Sequence, residues 1–543
     1  MKRFKSIREI APWRWQLPAA VRTSPLFWIP LGSLLSFALT WRLFFLPMVS
    51  DEGGYAYAAD RWLSGRGELY HDVWISRPQA IFLLYGAVMR VVGDSVVDLR
   101  LVAWACNVAT MIVVWSLARR WQGPGVAAGA TLVFAVMMGS PATEGFTANA
   151  EIFMALPAAI SILTLLRAYE RGWSVSWLVL TGILVGISTQ LKPSGIVMIG
   201  VAALFVALMA RESVQFSRVV SARIGAVLGG FGISLLPAIY HGIRVGWDAW
   251  LYASVTYRLT RQSTPTSSLE HHLSALGVLS LRIWPLYIAI ALVFLARFLA
   301  SPEGRSELPA PVQQPRLVPA GALGIVNPSY AAALTADPVR LLMQLWILGC
   351  LAGISMGGDW WYHYLIQIAA PFAIWMAVSV ADLRVRLSQF WHAVLIVLIA
   401  ATLLTPYGVL TMDTRAETTM ELFGHPGYAD QEAVAQYIRE NTPPETPIFV
   451  AFDQAALYYL ADRPSSYRYL YDQELRAFPD AQDQLIHMLE SDERPYYIVG
   501  TRQLSPFEDR GLAFWETVQR YYVLETVVRG VPIYRAIDPP AGP

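Results

Sequence analysis

The stretch that decides the fold reads PLFWIPLGSLLSFALTWRLFFLP from Pro25 to Pro47, followed by Met48-Val49-Ser50-Asp51-Glu52-Gly53-Gly54-Tyr55. A long apolar run ends on two adjacent carboxylates. Further on come Trp74-Ile75-Ser76-Arg77-Pro78, then Asp98-Leu99-Arg100 at the head of a second apolar run. If both runs cross a membrane, 48–98 is a loop at its far surface. Ionisable groups at such a boundary are costly unless they are used or paired. The loop therefore reads as the functional centre, and the rest of the chain as what holds it.

Composition supports a membrane reading. The chain has 543 residues, of which 55% are hydrophobic and 15% charged, where a soluble domain carries about 25% charged residues. The formal net charge of +1 gives no nucleic-acid signature. Local charge says more. The first 24 residues carry Lys2, Arg3, Lys5, Arg8, Arg14 and Arg22 against Glu9 alone, so this segment is expected in the cytoplasm. It does not read as a cleavable signal, because the first apolar run is too long and too late and no small-residue cleavage site follows it. Cys106 and Cys350 both lie inside apolar runs and give no disulfide framework.

Hydropathy and Lys/Arg placement give the expected topology. Span 1, Pro25 to Pro47, runs outward. Ser76 to Val92 is apolar but short, and is expected as a helix lying on the outer surface with Pro78 in its first turn. Leu99 to Ala118 returns to Arg119-Arg120. Val126 to Met138 exits, and Ile152 to Leu166 returns to Arg167 and Arg171. Trp177 to Leu191 and Gly195 to Met209 form a hairpin broken at Lys192-Pro193. Ile224 to Ile239 exits, Leu276 to Phe298 returns, Leu341 to Ser355 exits, Tyr364 to Val380 returns, and Ala393 to Leu410 exits. The expectation is an α-helical polytopic membrane protein of about eleven spans, N-terminus inside and C-terminus outside. Its membrane module covers 25–411, with an outer loop 48–98. Ser301 to Pro338, rich in Pro, Ala and Gly, is expected as a disordered inner loop. Residues 412–543 alternate helix and strand patterns and read as a small extracytoplasmic α/β domain. Pro447 to Phe452 and Tyr496 to Gly500 are its strand runs, and Tyr521 to Ile537 its hairpin. This domain reads as a cap or recruiting unit more than as part of the chemistry.

The outer face gathers acids and cations. These include Asp51, Glu52, Tyr55, Arg61, His71, Asp72, Arg77, Arg100, Glu144, Asn149, Glu151, Lys192, Arg258, Arg261, His271, His272, Asp359 and His363. One substrate type uses both signs: a sugar joined through phosphate to a long lipid. Arginine grips phosphate bidentately. A carboxylate takes the proton of an attacking hydroxyl. Fixed cations stabilise the charge that the leaving phosphate gains. Each residue also has a plainer reading: boundary charge for Asp51-Glu52, snorkelling for Arg77, anchoring for Arg100, helix capping for Glu151. Lys192 stands in a broken apolar hairpin, a feature that marks sites in membrane proteins.

The order of these features resembles the GT-C glycosyltransferases that use lipid-phosphate sugars, among them glycosyltransferase family 39, the protein O-mannosyltransferases and the lipid A aminoarabinose transferases. The likeness covers about residues 25 to 380. It rests on Asp51-Glu52 in the first outer loop, Arg77-Pro78, Arg100 opening a span, Glu151 opening another, the break at Gln190-Leu191-Lys192-Pro193, and His363-Tyr364-Leu365 before Pro371. The resemblance implies Asp51 as the general base, with Glu52 and Glu151 as further catalytic acids. It implies Arg77, Arg100, Lys192, His363 and Tyr364 on the donor and its lipid phosphate. Arg77 stands where aminoarabinose transferases tend to have Lys, Ser76 where they have an acid implicated in metal binding, and Glu151 where Asp is common. The residues require no divalent metal and do not settle whether one binds. The expected partners are the membrane, a polyprenyl-phosphate sugar and a lipid, glycan or protein acceptor. The expected location is the plasma (inner) membrane, multi-pass. The competing readings are a transporter or flippase of lipid-linked or anionic solutes and a non-catalytic scaffold. The first predicts internal repeats and mid-membrane charges, which the hydropathy does not show. The second leaves Asp51-Glu52 unexplained.

Overall fold

The apolar runs fold as helices, the arrangement in which a backbone without water satisfies its own N–H and C=O groups. The computed structural model describes residues 18, 21, 23–211, 213–260, 269–299, 337–356, 360–384, 387–424, 427–451, 454–478, 480–500 and 511–538. Nearly all of the inner loop expected over 301–338 lies outside these residues, as do Arg261 and Asp359. In chain order, α1 is Pro25–Thr40, α2 Ser50–Leu63, α3 Ala80–Val91, α4 Val96–Gln122, α5 Pro124–Gly139, α6 Ala150–Glu170 and α7 Val175–Leu191. Then come α8 Val197–Ala210, α9 Phe216–Ser234, α10 Leu236–Val245, α11 Trp247–Leu251 and α12 Tyr257–Thr260. They are followed by α13 Leu269–Arg282, α14 Trp284–Leu299, α15 Pro338–Ser355, α16 Ile366–Arg384 and α17 Gln389–Leu404. Among the described residues seven helices are long and apolar enough to cross a membrane, or up to eight if the bent pair α13–α14 is one crossing. Eleven crossings would require the shorter α1, α5 and α7 to cross as well.

Proline moves three boundaries from where hydropathy put them. The run Ile224 to Ile239 is not one helix. It breaks between α9 and α10 because Pro237, in the first turn of α10, lacks an N–H for the preceding turn. The run Leu276 to Phe298 bends by 73° between α13 and α14, with Pro285 just past the break. Pro78 lies before α3 rather than in its first turn. There the chain makes a tight buried turn in which the Arg77 N–H donates to Ile75 O at 2.7 Å, and the Tyr70 hydroxyl donates to Arg77 O at 2.8 Å. A helix that the loop reading did not foresee, α2, starts at the carboxylates themselves.

The helices pack through small residues. A Cβ at Gly182 would lie 1.9 Å from Val227 O, and one at Gly230 would lie 2.0 Å from Val179 O. Helices α7 and α9 therefore cross backbone to backbone, as small residues permit in lipid.

After α17 come α18 Arg415–Phe423, α19 Gly427–Asn441, β1 Ile448–Val450, α20 Ala456–Ala461, α21 Asp472–Ala477, α22 Ala481–Glu490, β2 Tyr497–Val499, α23 Gly511–Tyr521, β3 Tyr522–Val528 and β4 Val531–Ala536. The four strands form one sheet in the order β1-β2-β4-β3. β1 and β2 are parallel, with Phe449 opposite Ile498, and both are buried throughout, which explains their unbroken apolar sequence. β3 and β4 form a hairpin whose tip, Arg529-Gly530, has φ of 51° and 84°, the left-handed pair that a two-residue turn requires. This C-terminal segment docks on the loop between α1 and α4. The Trp74 N–H donates to Arg468 O at 3.0 Å, the Ser465 N–H to the Tyr57 hydroxyl at 2.7 Å, and Arg61 pairs with Glu445 at 2.7 Å.

The orientation has a direct check. In intact cells, with Cys106 and Cys350 replaced, a cysteine at exposed Asp480 should react with an impermeant thiol reagent. One at Gly125, where an added Cβ would meet no packed neighbour within 4 Å, should be protected until the membrane is opened. The reverse pattern would place the carboxylate loop on the cytoplasmic side.

Candidate active site

Asp51 and Glu52 are neighbours in sequence but part company in the first turn of α2, where successive side chains diverge by about 100°. Glu52 points inward and is 0% exposed, and so is Arg100. Their carboxylate and guanidinium meet in a fork, Nη2 to Oε2 at 2.6 Å and Nε to Oε1 at 2.9 Å. Arg100 spends its other N–H groups on the carbonyls of Leu43 (3.0 Å), Phe44 (3.2 Å), Leu46 (2.7 Å) and Pro47 (2.9 Å). Glu52 accepts from the backbone N–H of Val49 at 3.1 Å and of Ala148 at 2.7 Å. Both charges are thus fully used inside the protein. Glu52, expected as a catalytic acid, and Arg100, expected on the phosphate, thus lie outside the cavity wall and bind each other: the pair ties the segment after α1, the start of α2, α4 and the loop before α6 into one knot.

Asp51 faces the other way, into a cavity of about 230 Å³. Arg77, Glu144, Asn149, Arg258, His363 and Tyr364 line it too, with Tyr428, Tyr471 and Gln473 from the C-terminal segment. Arg77 is 8% exposed. Its Nε donates to the Tyr55 hydroxyl at 3.0 Å and its Nη1 to Ser76 O at 3.0 Å. Burial works against its charge, but Tyr55, Asp51 and Tyr364 outweigh it and hold the guanidinium above its usual range. Arg258 stands on α12 and donates from Nε to the same Ser76 carbonyl at 3.1 Å. One carbonyl therefore orients two arginines. Arg77 Nη2 and both Nη atoms of Arg258 have no partner among the described residues.

Beside the cavity runs a chain in which carboxylates alternate with nitrogen-bearing side chains. Lys192, in the break between α7 and α8, pairs with Glu151 at the head of α6. It also lies 3.8 Å from the centre of the Tyr364 ring. His363 bridges two acids, Nε2 to Glu151 Oε1 at 3.5 Å and Nδ1 to Glu144 Oε2 at 3.2 Å. Arg282, at the bend between α13 and α14, is 4.0 Å from Glu144 and 3.8 Å from the Tyr362 ring centre. Glu144 adopts φ 54°, a left-handed conformation that costs a non-glycine residue about 1–2 kcal/mol. The turn is held by Thr147, whose hydroxyl donates to Glu144 O at 2.8 Å. Strain of this kind persists where the surroundings over-determine it.

Of the expected residues, Asp51, Arg77, His363 and Tyr364 share the cavity wall. Glu151 and Lys192 lie behind it, neutralising each other, so Lys192 presents its amine to Glu151 and Tyr364 rather than to the cavity. Arg258, Glu144 and Asn149 were visible only as members of a long polar inventory. What singles them out is convergence across far-separated segments, which sequence spacing does not encode. Among the described residues no group of three or more His, Cys, Asp or Glu converges as a metal site. The C-terminal segment, read from sequence as a cap, contributes wall residues directly.

The fold has counterparts. A family model described as dolichyl-phosphate-mannose-protein mannosyltransferase matches residues 76–236, the part that carries Arg77, Arg100, Glu144, Glu151 and Lys192. No curated protein sequence matches the chain. Among solved structures, ArnT from Cupriavidus metallidurans in the apo state aligns with a TM-score of 0.60 at 15% identity, covering 95% of this chain and 98% of that one. The same protein bound to undecaprenyl phosphate aligns at 0.56 and 16% identity, covering 95% and 99%. The Archaeoglobus fulgidus oligosaccharyltransferase tethered to an acceptor peptide aligns at 0.52 and 14% identity, covering 92% of this chain and 72% of that one. The chain has the GT-C fold. The likeness to ArnT runs through the C-terminal segment as well as the helices, since almost the whole of both chains is covered.

The knot at Glu52 predicts a stability effect that the cavity arginine does not share. Arg100→Ala leaves a buried carboxylate without its cation, a loss of about 3–5 kcal/mol for a pair of this kind. The detergent-solubilised variant should unfold well below wild type by intrinsic fluorescence. Arg77→Ala should lower the transition much less. An Arg100→Ala transition no lower than that of Arg77→Ala would contradict the structural assignment.

Proposed function

We propose that the protein is a membrane glycosyltransferase. It moves a sugar from a polyprenyl-phosphate donor to an acceptor hydroxyl on the extracytoplasmic face of the plasma (inner) membrane. The observation that carries this reading is the cavity in which two acids, Asp51 and the His363-bound Glu144, stand with two arginines, Arg77 and Arg258.

The chemistry follows from the charges. The acceptor oxygen attacks the anomeric carbon, and its proton passes to the Asp51 carboxylate. The bond between that carbon and the phosphate oxygen breaks through an oxocarbenium-like state. The departing polyprenyl phosphate takes the electron pair, and its growing charge is held by the two guanidinium groups. Donors fixed before the reaction stabilise such charge without reorganising. Tyr55 and the Ser76 carbonyl keep Arg77 in place, and the nearby Tyr55 and Asp51 favour its charged form. The chain Glu144–His363–Glu151–Lys192 fixes the loop that carries Tyr364 against the break in the α7–α8 hairpin. Binding of undecaprenyl phosphate by the similarly folded ArnT supports a lipid phosphate as the leaving group here.

Asp51→Asn keeps size and hydrogen bonding but cannot accept a proton. Transfer from radiolabelled polyprenyl-phosphate sugars in detergent should fall about 10²-fold or more, with expression unchanged. Arg77→Ala removes a charge-assisted contact of about 1.5–3 kcal/mol. Its loss should appear in turnover as well as in donor affinity, because the contact strengthens as the phosphate leaves. Arg77→Lys should recover only part, since a point charge cannot form the fork. Near-normal transfer by Asp51→Asn would remove the base assignment. A wild-type protein that forms no glycosidic product, yet moves such a lipid between leaflets in vesicles, would establish a transporter instead.

A further inference from the structure

The wall of the cavity divides by origin and by charge. Its arginines come from segments 76–77 and 257–258, next to the membrane module. The C-terminal segment contributes Leu422, Phe423, Tyr428, Tyr471 and Gln473, none of them charged. Tyr471 is held close to the base: its hydroxyl donates to Ser50 O at 3.5 Å. Gly54 makes that approach feasible, because a Cβ there would lie 1.9 Å from the Tyr471 hydroxyl oxygen. Gly53 is bare for the same reason, since its Cβ would fall 2.2 Å from Ala456 Cα. The two glycines after Asp51-Glu52 are therefore a seat for the C-terminal segment, with Tyr471 projecting into the cavity. The Gln473 side chain lines the cavity and has no hydrogen-bond partner among the described residues.

We propose that this wall is the acceptor subsite, and that Tyr471 and Gln473 select a neutral saccharide acceptor. The inference rests on the glycosyl-transfer reading and deepens it. The donor's lipid must leave the cavity into the bilayer, so its phosphate occupies the arginine side. The acceptor oxygen then enters from the remaining wall, which the C-terminal segment supplies. A phosphorylated acceptor would require a cation there, and that wall holds none among the described residues. What the wall offers is aromatic ring faces beside an amide and a phenol. A pyranose ring is complementary to this set. Its C–H face packs on an aromatic ring, and its hydroxyls exchange hydrogen bonds with a carboxamide that can both donate and accept. Burial first, and then the charge of Asp51, push the Tyr471 phenol well above its usual range. It keeps its proton at neutral pH, gives it to Ser50 O, and offers its oxygen as an acceptor to a sugar hydroxyl.

The test uses the full-length protein in detergent, radiolabelled polyprenyl-phosphate sugars, and three acceptors: a neutral oligosaccharide, a Ser/Thr-containing peptide and a phosphorylated glycolipid. The expected result is transfer to the oligosaccharide, with its KM raised about tenfold or more by Tyr471→Ala. The affinity for polyprenyl phosphate alone, read by tryptophan fluorescence, should stay within about twofold of wild type. Tyr471→Phe keeps the ring and should recover most of the acceptor KM. Gln473→Ala, a milder change, should raise that KM without altering the unfolding transition. This covers the case in which Tyr471→Ala does not fold. Preference for the peptide or the phosphorylated glycolipid would overturn the proposal, and so would acceptor kinetics unchanged in both variants. No product from wild type with any pair would overturn the glycosyl-transfer reading, and this one with it.

Discussion

A charged pair that never touches solvent organises this protein. Glu52 and Arg100 are both fully buried, and taking such ions out of water costs several kcal/mol each. That cost is offset only where the geometry is complete, and here it is: a two-pronged fork, four carbonyls on the guanidinium, and two backbone N–H groups on the carboxylate. The carbonyls all belong to 43–47, where the chain leaves α1. Only one short 3-10 turn, Leu43–Phe45, follows there, and it leaves most of these lone pairs for Arg100. The pair therefore fixes where the chain leaves α1, where α2 starts and how far α4 stands from both. Asp51, one residue from Glu52, inherits a fixed position and a fixed direction.

That direction sets the division of labour. Successive positions at a helix start give one acid to the core and one to the cavity. The same logic separates the two arginines. Arg100 is saturated with protein partners, whereas Arg77 keeps a terminal nitrogen without one among the described residues. In the neighbouring chain Glu144–His363–Glu151–Lys192 each side chain is engaged by the next, so among the described cavity residues Asp51, Arg77 and Arg258 are the charged groups that face a ligand. The C-terminal sheet closes the arrangement. It reaches the site because Gly53 and Gly54 let α20 and Tyr471 approach α2 without a Cβ in the way.

Much of the helical layout was legible in sequence because apolar length is a local property. Asp51, Arg77, His363 and Tyr364 were legible because they sit at the ends of apolar runs, where charge needs a reason. The rest was not, for physical causes that can be named. Pro237 and Pro285 bend runs whose hydropathy is continuous, since hydropathy does not count N–H groups. Glu52 and Arg100 carry the same outward signal as Asp51 and Arg77, and only the partners around them reveal that they are spent. Arg258 reaches Ser76 across |i−j| of 182, and Tyr471 reaches Ser50 across 421. Contacts at that separation leave no periodicity to read. The double glycine was noticed only as a companion of the acids. Its function is to admit a segment encoded some 400 residues later.

The central claim is that Asp51, Arg77 and Arg258 form a lipid-phosphate-sugar site while Glu52 and Arg100 hold it in place. The most direct measurement is an experimental structure of the full-length protein with polyprenyl phosphate bound. The account predicts phosphate oxygens at hydrogen-bond distance, about 3 Å, from both Arg77 and Arg258, the lipid chain leaving toward the bilayer, and the Glu52–Arg100 fork intact. A phosphate seated on Arg100 with that fork broken, or one bound away from Asp51, would contradict it.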